Sequence, residues 1–268
     1  MKVLISQIKS YLGDMDKNLQ KITAKAEEGI KAECDVAVFP ELALNGTLLE
    51  DIVFDMGISC IPEKLLELSH KITIIFGAVE AEGRKLYNTG YCLEDGKIIG
   101  KHRKVFLSNN GGNSESRYFT RGKEIITFES KHGVFAITLG EEGMNPFVNG
   151  ILGVYGAEAV FNLTNEISDV RKEELSSVAG AINSSLYNKN FNIVVNRCGT
   201  EDGTIFAGNS FAVSPYGKII KKMPKFEEDD CIVDLDLKDL KRAAYSSGFD
   251  RENNLEIIKK EIEKVTAR

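Results

Sequence analysis

The chain has 268 residues, 43% hydrophobic and 28% charged, with a formal net charge of −6 at pH 7. That balance excludes a disordered chain, and its sign argues against nucleic acid as a partner. No apolar run reaches the roughly 18 residues a spanning helix needs, so no membrane partner is expected.

Residues 1–8 read as a first strand, because no small-residue cleavage site follows the apolar stretch. Residues 16–32 have helical periodicity, with Asp14 or Asp16 as N-cap. Residues 35–39 form a buried strand closed by Pro40. A helix over 61–69 and a strand over 72–78 follow. Residues 88–93 and 97–100 make a hairpin turning at Glu94-Asp95-Gly96. Further strands are expected at 125–128, 134–139, 159–163, 193–196, 210–214, 218–221 and 231–236. Helices are expected at 149–155, 170–188 and 255–265, the last a solvated tail or a face for a neighbouring subunit. Crossovers mixed with hairpins imply an α/β fold of two mixed sheets with outer helices. No repeat or linker divides the chain, so 1–268 reads as a single domain. Cys34, Cys60, Cys92, Cys198 and Cys231 are scattered singly, as in a reduced cytoplasmic protein. The three histidines have no metal-ligand spacing, so no metal site is expected.

Four segments carry possible chemistry. Val38-Phe39-Pro40-Glu41-Leu42-Ala43-Leu44-Asn45-Gly46 puts a carboxylate just past a strand. Gly100-Lys101-His102-Arg103-Lys104 is a basic stretch after a hairpin, which by itself is also a surface turn. Asn113-Ser114-Glu115-Ser116-Arg117-Tyr118-Phe119 supplies a second carboxylate. Asn196-Arg197-Cys198-Gly199 leads into Phe206-Ala207-Gly208-Asn209-Ser210-Phe211. In this order and spacing they resemble the nitrilase superfamily of carbon–nitrogen hydrolases, most closely the glutaminase domain of glutamine-dependent NAD synthetases.

The resemblance implies a four-layer α-β-β-α sandwich and no cofactor. It makes Glu41 the general base, Lys104 the oxyanion donor and Glu115 the second carboxylate, which orients the lysine. It also implies a homo-oligomer and a small amide, amine or carboxylate ligand, with a separate synthetase subunit as a further partner.

One position departs from it. The family's strand after the second glutamate ends Ile-Cys-Glu-Asp, and its thiolate attacks the amide carbon. Here the segment reads Leu139-Gly140-Glu141-Glu142, so Gly140 stands at the nucleophile's position. Thr138, one register error away, lacks an adjacent amine base. The chain is therefore expected to be a catalytically inactive or strongly impaired relative that acts in ligand binding or as a subunit; the alternative is an active hydrolase using Cys198 as a migrated thiol, or water activated by Glu41. Glu141, Glu166, Lys172 and Cys198 are expected around the ligand, and Glu166 in place of a small hydroxyl disfavours an α-carboxylate. Ser246-Ser247-Gly248-Phe249-Asp250 faintly resembles a pyrophosphate loop but reads as a turn.

Overall fold

The computed structural model describes residues 1–109, 114–168, 176–247 and 255–267. The first half runs β1 (Lys2–Gln7), α1 (Met15–Lys31), β2 (Val36–Val38), a 3-10 turn (Glu50–Asp55), α2 (Glu63–Leu68), β3 (Thr73–Glu82), β4 (Lys85–Glu94) and β5 (Lys97–Arg103). The second half begins with α3 (Glu115–Tyr118), β6 (Phe128–Ser130), β7 (Gly133–Leu139), a 3-10 turn (Gly140–Met144), α4 (Pro146–Val154), β8 (Ala159–Thr164) and α5, described from Ser176 to Asn188. It continues through β9 (Phe191–Asn196), β10 (Cys198–Glu201), β11 (Thr204–Ala207), β12 (Phe211–Val213), β13 (Ile219–Lys222), β14 (Asp229–Asp234), α6 (Lys238–Ser247) and α7 (Leu255–Thr266).

One six-stranded sheet has the order β14-β1-β2-β3-β4-β5 and the other β13-β12-β9-β8-β7-β6. In the first, β1, β2 and β3 are parallel. In the second, β7, β8 and β9 are parallel. The remaining pairings are antiparallel, so both sheets are mixed.

Strand alternation decides which residues meet. Val3, Ile5, Val36, Val38 and Ile75 face Phe135, Ile137, Leu139, Phe161 and Ile193 across the seam between the sheets. Phe135 and Phe161 pack edge to face there, with ring centroids 5.0 Å apart, and each buried ring contributes about 1.5–3 kcal/mol of apolar transfer. Leu4, Ala37, Ile74 and Phe76 point the other way, onto Ile22 and Ala26 of α1 and Leu65 of α2. Ala136 and Val160 pack on Val148 and Leu152 of α4. The result is the four-layer α-β-β-α sandwich.

Several boundaries differ from the expected ones for local reasons. β3 runs on to Glu82 and pairs with β4 along its whole length, turning at Gly83-Arg84. Asp14, not Asp16, caps α1, its carboxylate accepting from the Lys17 N–H at 3.1 Å. α4 starts at Pro146 because Asn145 accepts from the Phe147 N–H at 2.9 Å and proline suits the first helical turn. Residues 125–127 precede β6, and the hairpin β10–β11 turns at Asp202-Gly203, both with positive φ. Ser246 and Ser247 end α6, correcting the expected turn, and 248–250 lie outside the described residues. Among the described residues no helix is long and apolar enough to cross a membrane, and no side-chain group is arranged to hold a metal ion.

Candidate active site

Glu41 is placed by the end of β2. Pro40 has no N–H to continue a ladder, and the chain turns sharply, with Leu42 at φ +51°. Gly77 of β3 permits the turn, because a Cβ there would strike the Leu42 nitrogen and the Glu41 backbone. The Glu41 side chain is thereby driven into the interior, fully buried.

Lys104 follows β5, its N–H donating to the Asn88 carbonyl at 2.9 Å and its own carbonyl accepting from Gly122 at 2.8 Å. Strand alternation turns His102 and Lys104 inward while Lys101 and Arg103 face out. Glu115 opens the single turn of α3, and its Oε2 accepts from the Ser108 N–H at 2.7 Å.

These side chains converge. The Lys104 ammonium donates to Glu41 Oε1 at 2.8 Å and to Glu115 Oε1 at 3.0 Å. Asn88 Nδ2 donates to the same two oxygens at 2.8 and 3.2 Å. All four residues are buried. Burial pushes the Glu41 carboxyl up to about 7; the charge of Glu115 adds to that push, while Lys104 and Asn88 oppose it. Burial alone would lower the Lys104 ammonium, but the two carboxylates more than offset it and hold the group above the ordinary lysine range. A carboxyl that exchanges protons near neutrality beside a permanent cation suits proton transfer and the stabilisation of a developing oxyanion.

Gly140 enters from the second sheet. It begins the 3-10 turn after β7 with φ +53°, and a Cβ built on it would lie 2.8 Å from Lys104 Nζ and 3.2 Å from Glu41 Oε2. Among the described residues, the buried Glu41 Oε2 has no hydrogen-bond partner. Position 140 therefore faces the cluster, and it carries no nucleophile.

A buried carboxylate ties the two halves of the site together. Glu142 Oε1 accepts from the N–H groups of Val105 and Phe106 at 2.6 and 3.1 Å. Its Oε2 accepts from the Leu139 N–H at 3.0 Å and meets His102 Nε2 at 2.7 Å. Burial raises this carboxyl, but His102 and the backbone donors outweigh the effect and keep it below its ordinary value. Glu142 thus fixes the residues following Lys104 against the turn that starts at Gly140.

The other expected site residues are placed differently. Cys198 is buried on β10 with its sulfur 3.9 Å from the Gln7 carbonyl. Burial pushes its thiol up to about 11, and the charge of Glu228 adds to the push. The Cys198 sulfur thus faces the backbone of β1, where burial favours the protonated thiol. Thr138 pairs with Asn162 and alternates with the seam residues Ile137 and Leu139, so it points to the helix side. Glu141 is exposed on the turn. Glu166 accepts from the Ser176 N–H at 2.9 Å, tying its loop to α5. Lys172 lies outside the described residues.

Three contributors were not singled out from sequence: Asn88, the His102–Glu142 pair, and Arg197 with Glu201. The buried Arg197 donates to Glu201 and, at 2.8 Å, to Thr47 Oγ1. Glu201 Oε2 accepts from the N–H groups of Thr47 and Leu48, both at 3.0 Å. This holds the loop after Glu41, one wall of a cavity of about 170 Å³ that reaches Glu115, Tyr118 and Phe119. An i,i+4 Arg–Glu spacing within one motif was the available signal for that pair.

Residues 2–245 match the sequence profile of carbon–nitrogen hydrolases. The chain belongs to the carbon–nitrogen hydrolase family. A glutamine-dependent NAD(+) synthetase of Thermotoga maritima is 29% identical over 251 residues, which is 88% of this chain and 42% of that protein. The solved glutamine-dependent NAD+ synthetase of Acinetobacter baumannii, in complex with ADP, superposes with a TM-score of 0.77 at 25% identity, covering 86% of this chain and 44% of that one. The chain spans less than half the length of these synthetases. A carbon–nitrogen hydrolase from Helicobacter pylori G27 superposes with a TM-score of 0.86 at 20% identity over 96% of both chains, which shows the shared fold.

Proposed function

We propose that this carbon–nitrogen hydrolase-family protein binds a small amide, amine or carboxylate at the Glu41–Lys104–Glu115 cluster without cleaving it through an enzyme thioester. It acts as a ligand-binding or regulatory subunit, as a homo-oligomer or beside a separate synthetase polypeptide. The observation that carries the reading is the position of Gly140. The point 2.8 Å from the Lys104 ammonium and 3.2 Å from Glu41 Oε2 is where a nucleophilic side chain would have to begin. Loss of a covalent nucleophile costs on the order of a million-fold in rate, the magnitude met when a serine protease loses its serine.

Glu41 supports a second reading. An unpaired carboxylate oxygen near neutral pKa is the group that would activate water, with Lys104 receiving the oxyanion. Ammonia release from glutamine, propionamide and benzamide, measured on wild type and Glu41→Gln, separates the two. The expected result is no turnover in either protein. Robust hydrolysis that disappears in Glu41→Gln overturns the first reading in favour of the second.

A further inference from the structure

The outer face of the first sheet is covered by α1 and α2 over the early strands, but the edge formed by β4 and β5 carries charge instead. Glu80 accepts from Lys101 at 2.5 Å and from Arg103 at 2.7 Å, and Arg103 also reaches Glu82 at 2.9 Å. The Arg103 guanidinium lies over the Tyr87 ring, 3.9 Å from its centroid. These contacts hold two cations rigidly in one wall of a groove of about 420 Å³. That is the size of a small-molecule site, which ranges over about 300–1,000 Å³.

The opposite wall is the segment 121–126. It is pinned to β5 by the Gly122 N–H, which donates to the Lys104 carbonyl at 2.8 Å. Gly122 permits this approach, since a Cβ there would strike the Arg103 carbonyl. Arg121 and Lys123 from this wall, and Lys85 from the start of β4, line the same groove. None of these three side chains has a hydrogen bond or ion pair among the described residues, and Glu124 is the unpaired carboxylate set against them. His102 also lines the groove; it is 2% exposed, and its Nδ1 has no hydrogen-bond partner among the described residues.

A chain of net charge −6 thus gathers unpaired cations around one concave surface. Like charges brought together repel, and an anion between them relieves the repulsion while their field draws the anion in. The cations arrive from the start of β4, from β5 and from the 121–126 segment. Charge delivered from several directions suits a group with acceptor oxygens distributed in three dimensions better than a planar carboxylate.

We infer that this groove is a binding site for a compact polyanion of the phosphate class, separate from the Glu41–Lys104–Glu115 cluster and independent of what that cluster does. Its 121–126 wall is hydrogen-bonded to the Lys104 carbonyl through the Gly122 N–H, so the occupied groove stiffens the segment that presents the ammonium.

Calorimetric titration of the full chain with inorganic pyrophosphate tests the site, with circular dichroism confirming that each variant folds. Wild type is expected to bind at low salt and to weaken as salt rises, since exposed charges are screened. The double variant Arg121→Glu/Lys123→Glu should bind at least about tenfold more weakly, a difference of roughly 1.4 kcal/mol. Lys31→Glu, on the last turn of α1 and away from the groove, should bind like wild type. Absence of pyrophosphate binding, or equal affinity in wild type and double variant, overturns the site. Citrate binding as tightly as pyrophosphate overturns the assignment to phosphate chemistry.

Discussion

Replacing Gly140 by alanine puts one carbon into a crowded, charged corner of the candidate site. Two costs are expected, and a second glycine separates them. At φ +53° an L side chain is in the left-handed region, which costs about 1–2 kcal/mol. The loss of glycine's unfolded-state freedom returns about 0.4–1 kcal/mol of that. The new Cβ would also lie 2.8 Å from Lys104 Nζ. The ammonium must retreat from bonds it makes to Glu41 and Glu115 at 2.8 and 3.0 Å, and each charge-assisted bond contributes about 1.5–3 kcal/mol. Weakening rather than losing them adds about 1 kcal/mol, for a total of about 1–3 kcal/mol. Gly156, at φ +77° and with no described residue beyond its chain neighbours within 4 Å of an added Cβ, has the first cost and not the second. Thermal melts of Gly140→Ala, Gly156→Ala and wild type therefore rank in a definite order. At about 2–4 °C per kcal/mol for a chain of this size, Gly140→Ala should melt roughly 2–12 °C below wild type, with Gly156→Ala between them. A Gly140→Ala melt at or above that of Gly156→Ala refutes the claim that position 140 abuts a fixed ammonium.

The remaining expectations concern charge. Glu41 has its folded pKa raised to about 7 from an ordinary 4.5. Between those values the folded protein binds more protons than the unfolded chain, so this group makes stability fall as pH rises from about 4.5 to 7. Glu41→Gln removes that slope, and its melting temperature should be flatter than wild type's from about pH 5 to 7.5; parallel curves would show that Glu41 titrates normally. Glu142→Gln keeps the shape but exchanges an acceptor for a donor facing the Leu139 N–H and His102. It should destabilise by about 3 kcal/mol, typical of breaking a buried charged network, and an unchanged denaturation midpoint would show that the carboxylate ties nothing together.

The fold and the trio of charged residues were legible in sequence for different reasons. Strand alternation and the βα rhythm follow from burial, which acts locally, so the sheets could be read from residues such as Val36, Val38, Phe161 and Ile193. Glu41, Lys104 and Glu115 were legible only through their motifs, because nothing local in Pro-Glu or in a basic turn requires burial. Asn88 gave no signal, since an asparagine at the start of a strand is ordinary until the fold puts two carboxylates within reach of its amide. For Cys198, motif order fixes the neighbourhood but not the side-chain direction on a two-residue period. Edges such as the Asn145 cap and the turn at Gly83-Arg84 depend on single residues inside otherwise continuous patterns.

Glu142 is rooted in the second sheet, yet it accepts from backbone N–H groups just beyond Lys104 and meets His102 of the first. It thereby fastens the two sheets across their seam like a rivet, and the acid–amine trio sits directly beside the fastening. A protein built this way has a mechanical reason to retain those charges whether or not it turns anything over. Intact motifs in such a chain consequently certify architecture, and hydrolysis has to be diagnosed at the bench.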